Sequence, residues 1–198
     1  MGRQPLLPHA WLTSANSFPY FQSDPKRYLA TISGFYQFRV QGHDYNLGYV
    51  LDYVAEIFRN LAHWSLDDDE QTLTLSGSTP EERSDIVMRT CLALKETGHF
   101  KVLEKWRDEL YPIYGKDRQI LFHVERAASA LFGVVTYGAH CTAYVRTGQG
   151  ELKVWIPRRA KTKHTFPGML DNAVAGGIAA GEGPFESLVR ECAEEASL

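Results

Sequence analysis

Apolar positions in the first half of the chain follow the two-residue period of strands and the 3.6-residue period of helices in turn. Phe35 and the run YQFRVQG predict a strand that ends at Gly42. The segment TLTL at 72–75 predicts a short strand. Between them, one apolar stripe predicts an amphipathic helix, with its members at Val50, Val54, Ile57, Phe58 and Leu61.

A second helix has clear start and stop signals. Thr79 suits the N-cap, Pro80 suits the first helical position, and Glu82 completes a capping box. The helix is predicted to run to about Glu96, with Gly98 as its stop. Its predicted buried stripe consists of Ile86 or Val87, Cys91 and Leu94.

The second half has a different pattern. Residues 134–145 are rich in β-forming residues, and 147–150 form a predicted hairpin turn. A half-buried strand is predicted next, in which Leu152, Val154 and Ile156 alternate with Lys153, Trp155 and Pro157. The last helix, 184–196, carries an apolar stripe predicted to pack, formed by Phe185, Leu188, Val189, Cys192 and Ala196.

These patterns divide the chain into an irregular arm, 1–24, an N-terminal domain, 25–117, and a C-terminal domain, 118–198. With 44% hydrophobic and 23% charged residues, the composition is that of an ordinary globular protein. A net charge of −3 argues against a nucleic-acid partner. No apolar run is long enough for a membrane helix, and no secretory signal is evident. The prediction is a cytoplasmic protein, with a weak organellar signal as the alternative.

The cysteines indicate a reducing compartment. Cys91, Cys141 and Cys192 are odd in number and lack the CxxC spacing, which argues against a disulfide framework or a zinc site. Each is interpreted as a small core residue.

The last helix carries the candidate chemistry. Glu191, Glu194 and Glu195 stand at i, i+3 and i+4, so their carboxylates fall within about 100° of one another. Like charges this close repel, and a divalent cation with a preference for oxygen ligands would remove the conflict. Arg190 can hold one carboxylate in place. The alternative is a solvated glutamate face, and for the acidic run 67–69 a solvated loop is favoured over a metal site.

The residues before this helix favour the metal site. Gly176 is followed after five residues by Glu182 and, after seven more, by Arg190-Glu191-Cys192-Ala193-Glu194-Glu195. This pattern resembles the signature of the Nudix hydrolases. Six required identities, at roughly 5–7% usage each, arise by chance about once in 10⁷ to 10⁸ starting points. Ser197 departs from the signature, which has glycine there, and Leu198 fits its last apolar place.

The resemblance implies a Mg²⁺-dependent diphosphatase, with Mn²⁺ as the alternative ion. It implies that Glu191, Glu194, Glu195 and Glu182 are metal ligands. It also implies that Arg190 orients the glutamates, that Glu191 and Glu194 share the catalytic role with it, and that Gly176 lets the loop fold over the helix. A Nudix domain is an α/β/α sandwich around a mixed sheet. The implied fold class is therefore α+β, with a small N-terminal α/β domain followed by an incomplete Nudix sandwich.

The likeness extends from about Tyr28 to the end, through WRDELYPIYG, ERAASALFGVVTYGAH, WIPRRAKTK and FPGMLDNAVAGGI. These stretches resemble the thiamine-pyrophosphokinase-related Nudix hydrolases of fungi and plants, which carry an N-terminal domain of unknown function. The implied substrate is thiamine diphosphate, or its damaged oxidised analogues, cut to the monophosphate. A kinase is not supported, because the chain lacks a GxxxxGK[ST] loop.

The basic stretch Arg158, Arg159, Lys161 and Lys163 is a candidate diphosphate site, with a solvated strand end as the alternative. Structural or surface roles are favoured for His140 and His164. For Trp155 and Phe166, packing is favoured over stacking on a substrate ring.

The family's domain continues well past its signature, whereas this sequence ends with the catalytic helix. The sequence therefore predicts a fragment or a truncated product, with weak metal binding and low activity. Two alternative functions stay open: a Nudix hydrolase of oxidised nucleoside diphosphates, and a non-catalytic binding module. A small-molecule partner is expected, and the sequence does not indicate the oligomeric state.

Overall fold

A computed structural model describes residues 18–163 and 166–196. Helices and short separate sheets are mixed along the chain, which confirms the predicted α+β class. The helices are α1 (Pro25–Ile32), α2 (Asp52–Ala55), α3 (Pro80–Thr97), α4 (Ser129–Phe132) and α5 (Pro184–Ala196), with 3₁₀ turns at Glu56–Phe58 and Lys101–Lys105. The strands are β1 (Phe35–Val40), β2 (Gly48–Leu51), β3 (Trp64–Asp67), β4 (Thr72–Leu75), β5 (Leu110–Tyr114), β6 (Ile120–Glu125), β7 (Gly138–Cys141), β8 (Tyr144–Arg146), β9 (Leu152–Val154) and β10 (Val174–Gly177).

The largest sheet has four strands in the order β2-β1-β4-β3. The central pair, β1 and β4, is parallel, and both outer pairs are antiparallel. Phe38 and Val40 on β1 lie opposite Leu73 and Leu75 on β4, and all four side chains are buried. The predicted strands at 35–42 and 72–75 thus form the centre of the N-terminal core.

Helix α3 begins and ends where its signals predict. The Thr79 hydroxyl accepts the backbone N–H of Glu82 at 3.2 Å, and the Glu82 carboxylate accepts the N–H of Ser78 at 2.7 Å. Gly98 ends the helix with a left-handed φ of 68°, a conformation that costs glycine little. The predicted apolar stripe is buried, and the helix packs against β6.

The helix predicted from Val50 to Leu61 is wrong. Val50 lies in β2, only Asp52–Ala55 is α-helical, and a 3₁₀ turn follows. Positive φ angles at Asn60 and His63 then turn the chain towards β3. Val54 and Phe58 are still buried, because a strand end followed by a short helix brings them to the same face. The unpredicted helix α1 is capped by Asp24, whose carboxylate accepts the N–H of Arg27 at 3.0 Å.

Aromatic side chains fill the centre of the core. The ring of Trp64 stacks on that of Phe132 at 5.7 Å, and its indole N–H donates to the Thr90 hydroxyl at 3.0 Å. Phe132 comes from beyond the predicted boundary at 117/118, and that boundary falls in the turn of the β5–β6 hairpin. One hydrophobic core therefore draws on residues from both sides of the boundary, which itself stays a prediction.

Glu125 binds backbone groups at the open end of the β5–β6 hairpin. Its side chain is buried, and its carboxylate accepts the backbone N–H groups of Arg107, Glu109 and Ala127 at 2.9, 3.2 and 3.2 Å. A buried carboxylate is tolerated where such donors replace water. The connection before β5 is thus held by one side chain.

The C-terminal part consists of two small sheets and one helix. Strand β10 pairs with β7, and α5 packs on both. Strands β8 and β9 form a hairpin across the predicted turn at 147–150. The prediction that Leu152 and Val154 are half-buried is wrong: both are exposed, because no other strand in the described ranges pairs with this hairpin. Among helices of the described ranges, none is long and apolar enough to cross a bilayer.

Candidate functional site

Helix α5 lies directly after the glycine-rich segment that contains β10. Pro184 is its first residue, and the carboxylate of Glu186 accepts the N–H of Gly183 at 3.0 Å. The segment before it is tied to the N-terminal part of the fold: the N–H of Ala180 donates to the carbonyl of Leu110 at 2.8 Å. The helix and its loop therefore have a fixed start.

The face that α5 buries is not the predicted one. Ser187 is fully buried and Glu191 is only 8% exposed, whereas Phe185 is 76% exposed and Val189 is exposed as well. The predicted packing of the apolar stripe is therefore wrong for Phe185, Val189 and Ala196, whereas Leu188 and Cys192 are half-buried. Gly176 supplies the physical reason, because a Cβ atom there would overlap the carboxyl group of Glu191. The missing side chain makes room for the glutamate on this face.

A similar contact fixes the neighbouring residue. A Cβ atom at Gly177 would overlap the hydroxyl of Tyr111 on β5, and the Gly177 carbonyl accepts the Ser187 hydroxyl at 3.1 Å. The two glycines thus hold the loop between α5 on one side and β5 on the other.

Arg190 lies among the glutamates and binds several of them. Its guanidinium donates to both oxygens of Glu182, at 2.8 and 3.0 Å, and to Glu191 at 2.8 Å. Glu194 is further away, at 3.5 Å. The hydrogen bonds from Arg190 hold the pKa of the Glu182 carboxyl below its ordinary value. Arg190 therefore neutralises carboxylates that would otherwise repel one another.

Glu195, the remaining glutamate, contacts groups other than Arg190. One carboxylate oxygen of Glu195 accepts the N–H of Ala175 at 3.4 Å, and the other stands 3.9 Å from the ammonium of Lys163. Carboxylates are suitable ligands for Mg²⁺. In the described ranges, however, no three His, Cys, Asp or Glu side chains are grouped as a metal site. The donor chemistry fits the ion, but three of the carboxylates are arranged around Arg190 and Glu195 has other partners.

The predicted substrate-binding residues lie at the same end of the helix as Glu195. Arg158, Arg159, Lys163 and Glu195 line one cavity of about 170 Å³. Arg158 donates to the carbonyl of Gly168 at 2.7 Å. Arg159 is paired with Asp171, and this hydrogen bond lowers the pKa of the Asp171 carboxyl. Lys161 is exposed and is not among the residues that line this cavity.

His140, Trp155 and Phe166 are further candidate substrate-binding residues, and the structure places them at or near the surface. His140 contacts the amide of Asn172 at 2.7 Å, and Trp155 and Phe166 are both exposed. His164, Ser197, Leu198 and residues 1–17 of the predicted arm lie outside the described residues.

The cysteines remain free thiols. Cys91 is buried, and burial raises the pKa of its thiol to about 12, as expected of a core residue. Cys192 on α5 lies beside Cys141 on β7, a proximity that their separation in sequence does not suggest.

The α+β fold and the glutamate helix beside its glycine-rich loop define a protein related to the Nudix hydrolases. The chain is 38% identical over 132 residues to Nudix hydrolase 20, chloroplastic, of Arabidopsis thaliana, covering 66% of this chain and 34% of the relative. It is 43% identical over 56 residues to a Nudix hydrolase of Deinococcus radiodurans, covering 28% of this chain and 32% of that protein. These matches confirm the predicted relation.

Residues 24–136 match the family described as Domain of unknown function (DUF4743). The match covers more than half of the chain, and the chain belongs to that family. An uncharacterized protein of Saccharomyces cerevisiae is 31% identical over 145 residues, which is 73% of this chain and 42% of the yeast protein. The aligned part of this chain thus spans about a third to two fifths of these relatives.

Proposed function

We propose that this chain carries the metal-binding part of a Nudix hydrolase that cleaves a diphosphate bond in thiamine diphosphate or its oxidised analogues. The observation that carries the proposal is the burial of Glu191 against Gly176, with Arg190 binding both Glu191 and Glu182. A solvated glutamate face would leave all its carboxylates in water. Here, one is held in a shaped space and its charge is balanced, as a preorganised site requires.

The four glutamates share one task in this proposal, and Glu194 has a second. Glu191, Glu194 and Glu195, together with Glu182, would hold Mg²⁺, with Mn²⁺ as a substitute. When bound, the ion supplies charge neutralisation at the diphosphate and lowers the pKa of a coordinated water. Arg190 fixes Glu182 and Glu191 in place. Glu194 takes the proton of the attacking water, because its side chain is 58% exposed and only weakly held by Arg190.

The basic residues bind the diphosphate in this proposal. Arg158 and Arg159 share a cavity with Glu195, so phosphate oxygens bound there would lie beside a proposed metal ligand. Both guanidiniums already have partners in the protein, and a diphosphate would have to replace the Gly168 carbonyl and Asp171. Lys161 would contribute from the exposed rim. Bidentate pairing with phosphate would replace the hydrogen bonds that the two guanidiniums give up.

The test is hydrolysis in the presence of Mg²⁺. Thiamine diphosphate, its oxidised analogues and a panel of nucleoside diphosphates are supplied to this chain and to the longest protein that its gene encodes. Glu194→Gln keeps the shape and removes the base, and we expect a loss of at least about 100-fold. Glu186→Gln is the matched control, because Glu186 stands on the same helix outside the proposed site.

Each outcome has a meaning. Cleavage of thiamine diphosphates that Glu194→Gln abolishes and Glu186→Gln preserves supports the proposal. Preferential cleavage of nucleoside diphosphates with the same mutational pattern retains the Nudix chemistry and rejects the substrate. If neither protein cleaves any compound, the hydrolase proposal fails and a binding module takes its place.

For location, we propose the cytoplasm. The name of the plant relative places that protein in the chloroplast, so a fluorescent fusion of the gene's full product is the direct test. An organellar signal from the fusion would reject the proposal.

A further inference from the structure

A cleft of about 470 Å³ opens between the β5–β6 hairpin and the loop before α5. Its walls include Tyr114, Tyr137, Arg118, Ile178, Glu182 and Pro184. A volume in this range, with a mostly apolar lining and a few polar groups, is typical of small-molecule sites. Since Glu182 is one of its walls, the cleft adjoins the proposed metal-binding residues.

Two exposed tyrosines dominate the cleft. Tyr114 is 39% exposed and Tyr137 is 53% exposed, and their rings meet edge to face with centroids 6.0 Å apart. Neither hydroxyl has a hydrogen-bond partner in the described ranges. The same two residues also line an adjoining cavity of about 220 Å³ that reaches Lys116. The exposed parts of both rings present aromatic surface to whatever enters the cleft.

The position of the pair is fixed by the backbone. Tyr114 is the last residue of β5, and the carbonyl of Tyr137 accepts the N–H of Ile178 at 3.0 Å. Ile178 belongs to the loop that continues to Glu182. This hydrogen bond joins the Tyr137 side of the aromatic surface to the segment that leads to Glu182.

One of the residues that line the cleft is a cation. The side chain of Arg118 is exposed and forms no ion pair or side-chain hydrogen bond with any described residue. An unpaired guanidinium is a ready partner for phosphate. Apolar aromatic surface with a cation on one side and a proposed metal ligand on the other suits a flat, ring-bearing molecule that carries a diphosphate.

We propose that the cleft binds the organic ring of the diphosphate substrate against Tyr114 and Tyr137, with Arg118 contacting its phosphate groups. Arg118 would then bind the phosphates in place of Arg158 and Arg159, which line a separate cavity beside Glu195. The identity of the substrate in this proposal rests on the proposed function, but the binding experiment that tests the cleft does not. It gives the DUF4743 region a part in substrate selection, because Tyr114 and Arg118 lie within the matched residues 24–136.

The experiment measures binding without turnover. The chain is titrated calorimetrically in EDTA with thiamine diphosphate, with ADP and with inorganic pyrophosphate. We expect both ring-bearing compounds to bind at least about tenfold more tightly than pyrophosphate, the size of effect that one stacked ring gives. Tyr114→Ala and Tyr137→Ala should abolish this difference, and Tyr→Phe at either position should keep it. Arg118→Ala should weaken all three ligands.

Tyr144→Ala is the matched control, because Tyr144 is 57% exposed on β8 and does not line the cleft. Equal binding of pyrophosphate and the ring-bearing compounds, or no measurable binding of any of them, overturns the proposal. So does a ring preference that survives both alanine variants or that Tyr144→Ala removes equally. This experiment measures binding and not hydrolysis. A ring preference found here, together with no diphosphatase activity in the hydrolysis assay, would therefore reject the proposed function and retain the proposed ring-binding site.

Discussion

Replacing Gly176 with alanine tests the close contact on which the glutamate site depends. The added Cβ atom would overlap the carboxyl group of Glu191, so that either α5 moves away from β10 or Glu191 rotates into water. Overpacking of this kind costs about 1–3 kcal/mol. Rotation of Glu191 would break its hydrogen bond to Arg190 but would restore hydration of the carboxylate. Because the group that must move is the end of a flexible side chain, we expect the lower end of this range, about 1 kcal/mol, or about 2–4 °C in Tm for a chain of this length.

The measurement is thermal unfolding followed by circular dichroism, with Gly148→Ala as the control. A Cβ atom at Gly148 meets nothing within 4 Å, and its φ is not in the left-handed region, so its substitution should change stability by less than about 0.5 kcal/mol. Glu191→Ala provides the decisive background. If the clash is with the Glu191 side chain, Gly176→Ala should cost little once that side chain is removed. An equal cost of Gly176→Ala in both backgrounds would refute this reasoning, as would a cost no larger than that of Gly148→Ala.

Two further predictions concern carboxylates. Glu125→Ala leaves three backbone N–H groups without their acceptor, and urea unfolding should show a loss of about 2–4 kcal/mol, whereas the exposed Glu151→Ala should show almost none. Similar losses for both would contradict the structural role of Glu125. The pKa of Glu182 is lowered by its hydrogen bonds to Arg190, so its ionised form stabilises the fold above the ordinary carboxyl pKa, and this contribution is lost as pH falls through the lowered one. The stability difference between the native chain and Glu182→Gln should thus shrink from pH 7 to pH 3, and a constant difference over that range would disprove the linkage.

Local signals predicted the parts of the fold that depend on local contacts. Thr79 and Gly98 set the ends of α3 through hydrogen bonds and backbone angles within a few residues of each end. The apolar stripe from Val50 to Leu61 led to a wrong prediction. A strand followed by a short helix buries Val50, Val54 and Phe58 as well as one long helix would. Hydrophobic periodicity indicates which side chains are buried, and in a short segment two different secondary structures can bury the same side chains.

In the candidate site, too, local features were predicted and features that depend on tertiary contacts were not. The spacing of the glutamates predicted one acidic helix next to a glycine loop, and both are present. The face of α5 that packs could not be predicted from the sequence of the helix, because it depends on Gly176 on strand β10. The cleft was missed for a similar reason, since Tyr114 and Tyr137 are brought together only by the tertiary fold.

The contacts between β5 and the glycine loop limit how this protein can be divided for engineering. The Leu110 carbonyl accepts the N–H of Ala180, and Tyr111 fills the space beside Gly177. A unit transplanted into another protein as residues 118–198 would lack both contacts, and β6 would lose its only paired strand in the described ranges. The smallest portable unit that keeps the glutamate helix in its present setting must therefore include the β5–β6 hairpin.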